Sequence, residues 1–306
     1  MSDVLAALAP TFLLILLGYG VRAGRIVTAE AMGMVNRFGY FILYPAFLFS
    51  LTARADFNIG GAGAFLGGVM CGVVVLIAAA LATRFFLRDD GPAFTSVFQG
   101  SVRWNGFVVL TIVAGLYGQD ALDLVGIVFG PLVLMINLVC VIVLTRWGSA
   151  RATSFRALLD QIFANPLILA CTAGLAVNAL GVSNLGPFTD ALNLLGPAAM
   201  PIALVCVGAA LDFRALRDAG VKVASASVLK LAIAPIVLWI AATLAGASPL
   251  AVAAATAIGA TPTAPAGYAL AREMGGDPKL MAAIITATTA LSFVTLPIAL
   301  ILTLPP

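Results

Sequence analysis

Apolar runs long enough to cross a bilayer follow one another along this chain with only short polar breaks, and this constrains the fold more than any motif. They lie near residues 4–22, 32–52, 60–83, 92–117, 122–145, 162–181, 188–211, 221–245, 249–271 and 279–304. A helix needs ~20 residues to cross the hydrocarbon, so ten such spans occupy most of the 306 residues and leave no room for a soluble domain. Composition agrees: 62% of residues are hydrophobic and 9% charged, against about 45–50% and 25% in a soluble domain. The sequence therefore predicts an all-α polytopic membrane protein. Met1 to Asp3 carry no basic residue and the apolar run from Val4 is long, so the first span is expected to stay in the mature protein rather than be cleaved as a signal peptide.

With ten spans the loops alternate sides, and basic residues mark the cytoplasmic ones. Arg22, Arg25, Arg37, Arg84, Arg88, Arg146, Arg151, Arg156, Arg214, Arg217, Lys222, Arg272 and Lys279 fall in or beside the loops after odd-numbered spans. Arg54 alone falls on the other face, with Asp3, Asp56, Asp120, Asp123 and Asp190, while Arg103 and Lys230 lie within spans. Both termini are thus expected to be extracytoplasmic, in a bacterial inner membrane. Division at the basic stretch from Arg146 to Asp160 leaves two five-helix halves, 1–150 and 151–306. An odd-numbered repeat must insert its second copy upside down, which predicts inverted repeats. A shift of 156 residues carries Pro10 to Pro166, Gly18 to Gly174, Pro45 to Pro201 and Asp56 to Asp212.

Several function classes drop out. The chain has no histidine, which removes Ser/His/Asp, Cys/His and HExxH chemistry together. Cys71, Cys140, Cys171 and Cys206 sit in apolar runs without CxxC spacing and read as buried small hydrophobes, with no metal site. The net charge of +3 is scattered between apolar runs and forms no stripe for a nucleic acid. No cluster of nucleophile, base or metal ligands supports a membrane-embedded enzyme, no nucleotide site is visible and no cofactor is expected.

The polar signal is concentrated in the fourth and ninth spans, at Gln99-Gly100-Ser101-Val102-Arg103-Trp104-Asn105-Gly106 and at Gly259-Ala260-Thr261-Pro262-Thr263-Ala264-Pro265-Ala266-Gly267. The 156-residue shift carries Asn105 to Thr261. Proline lacks an N–H and disfavours helix in the residue before it, yet suits the first position of a new helix. Thr261 is accordingly read as the N-cap of a helix restarting at Pro262, and Asn105 as the cap of one restarting at Gly106. Unwinding at membrane depth strands backbone amides unless they line a cavity or meet a ligand. Two restarted helices, each with its positive end toward the cavity, would suit a carboxylate. Arg103, eleven residues or about 16 Å into its span, is too deep to snorkel and is expected to face the bundle interior. Lys230 is expected to reach back toward the interface. Pro45 and Pro201 should bend the second and seventh helices. No Asp or Glu lies deep in a span, so no proton relay of carboxylates is expected, whereas oxygens of Asn105, Thr261 or Thr263 could hold sodium. Sodium and proton coupling both stay open.

These residues resemble the auxin efflux carrier family, in its prokaryotic branch that includes malate and malonate permeases. The similarity runs nearly end to end. Its carriers are Tyr44-Pro45-Ala46-Phe47-Leu48-Phe49, the Gln99 to Asn105 stretch, Asn165-Pro166, Thr261-Pro262-Thr263-Ala264 and Met274-Gly275-Gly276-Asp277. The resemblance implies two inverted five-helix repeats, a scaffold part and a transport part, and spans four and nine crossing at unwound segments where an organic anion binds. It places binding on Asn105 and Thr261, and it implies a homodimer packed through scaffold helices. Plant members carry Asn-Pro at both breaks; here Asn105 precedes Gly106 and Thr261 precedes Pro262, so auxin is not carried over. The expected function is secondary transport of a mono- or dicarboxylate by alternating access, with Arg103, Asn105, Thr261, Pro262, Thr263, Ser101 and Gln99 as substrate-binding residues. Its rivals are a sodium-coupled symporter of the bile-acid type and a passive channel.

Overall fold

The computed structural model describes residues 2–56, 61–87, 90–149, 164–182, 185–218 and 220–303. Its helices are α1 (Ser2–Ala23), α2 (Ala29–Ala53), α3 (Ala62–Leu87), α4 (Gly91–Val102), α5 (Gly106–Trp147), α6 (Pro166–Ala179), α7 (Pro187–Ala209), α8 (Gly220–Leu244), α9 (Pro249–Ala260), α10 (Ala266–Glu273) and α11 (Pro278–Leu302). Each of the ten apolar stretches is helical over much of its length, and no strand occurs among the described residues. Seven helical stretches there are long and apolar enough to cross a membrane; α6 and α9 are apolar but shorter. The large apolar side chains on outward faces, such as Leu13, Leu194 and Leu244, are those a lipid solvent accepts. The chain is a multi-pass membrane protein. The boundary between 150 and 151, together with Arg88, Arg151 and Arg156, lies outside the described residues, as do the side chains of Asp3 and Arg217.

Local chemistry sets the helix ends. Asp90, Asn165, Ser248 and Asp277 each accept a bond from a first-turn amide of α4, α6, α9 and α11 respectively, a cap contributing about 1 kcal/mol. Asp277 is also clasped to α4, because Ser96 donates to its carbonyl and accepts from its amide. At α5 the expected loop between the fourth and fifth spans shrinks to one residue. A straight helix of 42 residues would measure roughly 63 Å, twice the hydrocarbon thickness, but Gly118 breaks it with φ 76° and ψ −157°. That backbone conformation is open to glycine at little cost, and it divides α5 into two legs. Asp123, read as decorating the sparsely basic face, is buried just past this break and accepts from Gln119 at 2.6 Å.

Pro45 follows a π-helical turn at Gly39–Leu43 inside α2, where Tyr44 N bonds the carbonyl five residues back. A second π turn, Leu229–Ile233 in α8, likewise precedes a proline, Pro235. Proline cannot donate to the carbonyl four residues back, and the widened turn absorbs the mismatch. Pro201 instead lies within the continuous run of α7. Cys140, Cys171 and Cys206 are buried as expected, but Cys71 is exposed on α3. That helix is apolar from Ala62 to Ala82, so its outer face suits a small apolar side chain as well as the interior does.

The helices form two groups. In one, α1 packs along α7, and α2 along α6 and α7; in the other, α3 packs along α8, α8 along α9, and α4 and α9 against α5 and α11. Helix α5 also touches α1, α2, α6 and α7 and so joins the groups. The first group is closed by backbone contact. Gly18 lies on the carbonyl of Val205, and Gly174 lies so near Phe49 that an added methyl would stand 2.7 Å from its carbonyl oxygen. Each pair is the other carried 156 residues along with partners exchanged. Gly208 meeting the Ile15 carbonyl and Thr52 donating to the Cys171 carbonyl are related in the same way.

Candidate functional site

Helix α4 ends at Val102 because the next three residues are held out of helix, with Arg103 extended at φ −72° and ψ 131°. Asn105 then caps α5, its Oδ1 accepting from Val108 N at 3.3 Å. Helix α9 ends at Ala260, and Thr261 behind it is likewise extended, with φ −65° and ψ 150°. The two breaks touch: Asn105 N donates to Thr261 Oγ1 at 3.3 Å, and Thr263 Oγ1 donates to Gly100 O at 2.6 Å. The Thr263 amide reaches Thr288 Oγ1 of α11. Trp104, stacked edge-on against Phe129 with ring centres 5.0 Å apart, seals the crossing.

One expectation fails here. Thr261 does not cap a helix restarting at Pro262; it closes α9, its hydroxyl donating to Ile258 O. The next helix begins only at Ala266, behind Pro265. The second proline is the reason: Ala264, preceding Pro265, is kept from helix just as Thr261 is by Pro262. First-turn amides of α10 are tied locally, Gly267 N to Ala264 O and Tyr268 N to Pro265 O.

Arg103 is 6% exposed. Its Nε donates to Gln99 Oε1 and its Nη2 to Asn137 Oδ1, both at 3.1 Å, and its stem lies beside Gly267 in the first turn of α10. Both partners are neutral amides. Gln99 Nε2 and Asn105 Nδ2 are buried without a partner. Their amide oxygens accept from Arg103 and Val108, which fixes the orientation of each and leaves an NH₂ donor unused. Ser101, by contrast, turns its hydroxyl back to Val97 O within α4. Pro262 is buried in the strap between α9 and α10, where it shapes the backbone and offers no donor.

Lys230 corrects the sequence reading. It does not reach the interface but is 1% exposed, with Nζ donating to Gly259 O at 2.7 Å. Its position, nine residues into the span, is nearly as deep as that of Arg103, and the π turn that carries it directs the side chain inward. Asn137 is the other residue missed; an amide in the middle of the apolar run of α5 was its signal. The site thus joins Arg103, Gln99, Asn105, Thr261 and Thr263 at the crossing and adds Asn137 and Lys230.

Comparison with known proteins agrees with this architecture. The membrane transport protein family matches residues 3–300. A Rhizobium meliloti (strain 1021) protein named "Putative malonate transporter" is 27% identical, over 96% of this chain and 94% of its own length. An "Uncharacterized transporter" of Methanothermobacter thermautotrophicus is 25% identical, over 93% of each chain. With ten apolar stretches, two broken helices in contact and a match over nearly its whole length, this chain belongs to the membrane transport protein family, the auxin efflux carrier family that its motifs resemble.

Proposed function

We propose that this transporter is a secondary carrier for a small mono- or dicarboxylate, which binds at the crossing and passes by alternating access between the two helix groups. The observation that carries the reading is the donor set at the break. A buried guanidinium with neutral partners and two buried amide NH₂ groups without acceptors all await an acceptor. An uncompensated buried cation is costly in a membrane protein, and a carboxylate answers it with both charge and lone pairs. The relative named for malonate is in keeping with this chemistry. Contacts exchanged at a 156-residue shift, and the meeting of Asn105 with its counterpart Thr261, support two inverted repeats related by a two-fold axis through the crossing.

In this mechanism Arg103 neutralises the carboxylate, Gln99 and Asn105 orient it, and Thr261 and Thr263 hold the two breaks together while α4, α9 and α10 move against the α1, α2, α6 and α7 group. In the inner membrane, with both termini outside, the membrane potential would drive an anion outward with ~2.3 kcal/mol per charge per 100 mV.

The test is uptake of labelled malonate and malate into proteoliposomes. A charge-assisted bond contributes about 1.5–3 kcal/mol, so Arg103→Ala should cut apparent affinity roughly ten- to hundredfold while the purified protein still elutes as a single species. Arg103→Lys should recover part of it. Undiminished transport by Arg103→Ala would remove the guanidinium from the site.

A further inference from the structure

The Lys230 ammonium lies at the end of the broken helix α9. When a helix stops inside a membrane protein, its last carbonyls lose their intrahelical donors and carry the negative end of the dipole. Broken transporter helices commonly satisfy that end with sodium. At the end of α9, Ile258 O takes the Thr261 hydroxyl and Gly259 O takes Lys230 Nζ.

Two features of the sequence build this contact. Pro235 forces the π turn at Leu229–Ile233, which carries Lys230 on its inner side. Gly259 lets α9 press onto that corner, since a methyl there would stand 2.6 Å from the Pro235 Cα and 2.8 Å from Ala234 O. The ammonium has three donors. Beside it lies a cavity of about 10 Å³, lined also by Val102, Trp104, Ala234 and Ile258, which is about the space of one water. Lys230 therefore holds the Gly259 carbonyl at the end of α9, while Val102 and Trp104 at the first break line the same small cavity.

We propose that Lys230 is a resident cation that takes the place of a coupling sodium ion at the crossing, so that this carrier runs without sodium. This rests on the reading of the crossing as the transport site. The charge that a symporter borrows from solution is here covalently attached, and it stays when the substrate leaves.

The experiment compares sodium with choline at equal ionic strength, by ¹⁴C-malonate uptake into proteoliposomes and by thermal unfolding of the purified protein. The wild type should give equal rates and equal midpoints in the two salts. Lys230→Ala exposes the carbonyls, so in choline its uptake should fall about tenfold or more. Sodium should raise both its midpoint and its uptake saturably. A wild type that responds to sodium, or a Lys230→Ala protein indifferent to it, overturns the proposal. Should Lys230→Ala fail to fold, the wild-type comparison decides by itself. Should the wild type carry no malonate, the substrate reading fails, while the unfolding midpoints still judge Lys230.

Discussion

Asn105 serves two purposes with one side chain: its oxygen caps α5 at Val108 N, and its NH₂ remains without a partner in the crossing. Asparagine and aspartate cap helices about equally well, so Asn105→Asp should leave the thermal midpoint of the purified protein unchanged or raised. It should nonetheless abolish carboxylate uptake, because it offers Arg103 a permanent anion and repels the substrate. Retained transport would exclude Asn105 from the binding surface. At this scale the sequence was legible where polarity interrupts an apolar run, as at Gln99, Arg103, Asn105 and Thr263. It was misleading at Lys230, because a long aliphatic stem permits either snorkelling or burial. The choice was made by Pro235 and Gly259, whose joint effect on the path of α8 and α9 is a tertiary matter.

At the scale of elements, the helices were legible in outline and their ends less so. The break in α4 was found where the structure has it. The break in α9 is legible too, but the helix restarts four residues beyond Pro262, since Pro265 keeps Ala264 out of helix as Pro262 does Thr261. The loop between the fourth and fifth spans proved to be a single glycine, Gly118, because positive φ needs no polar run to announce it. Helix pairing, invisible in composition, is decided by small residues. In Gly18→Ala the new methyl meets the Val205 carbonyl, whereas in Gly20→Ala it meets nothing within 4 Å. The first should destabilise the protein by about 1–3 kcal/mol, and the second should stay within about 0.5 kcal/mol of neutral. Gly174→Ala, at the exchanged position, should behave like Gly18→Ala. Thermal midpoints in one detergent would show this, and equal effects at Gly18 and Gly20 would refute the account of this interface.

For the whole molecule, the polytopic all-helical architecture was readable from apolar run lengths, while the partition into two helix groups was not, because it depends on which faces meet. The basic residues gathered after odd-numbered spans predict that both termini lie outside. A C-terminal alkaline phosphatase fusion should be active in cells and a green fluorescent protein fusion dark; the opposite pair of results would invert the topology. The glycine contacts between α1 and α7 and between α2 and α6 bear on how such a molecule can move. Where one main chain rests directly on another, with no side chain between them to swivel, neither helix can slide without steric collision. On the proposed alternating-access cycle, those four helices would be the stator, and the stroke would fall to the part of the protein that carries the crossing.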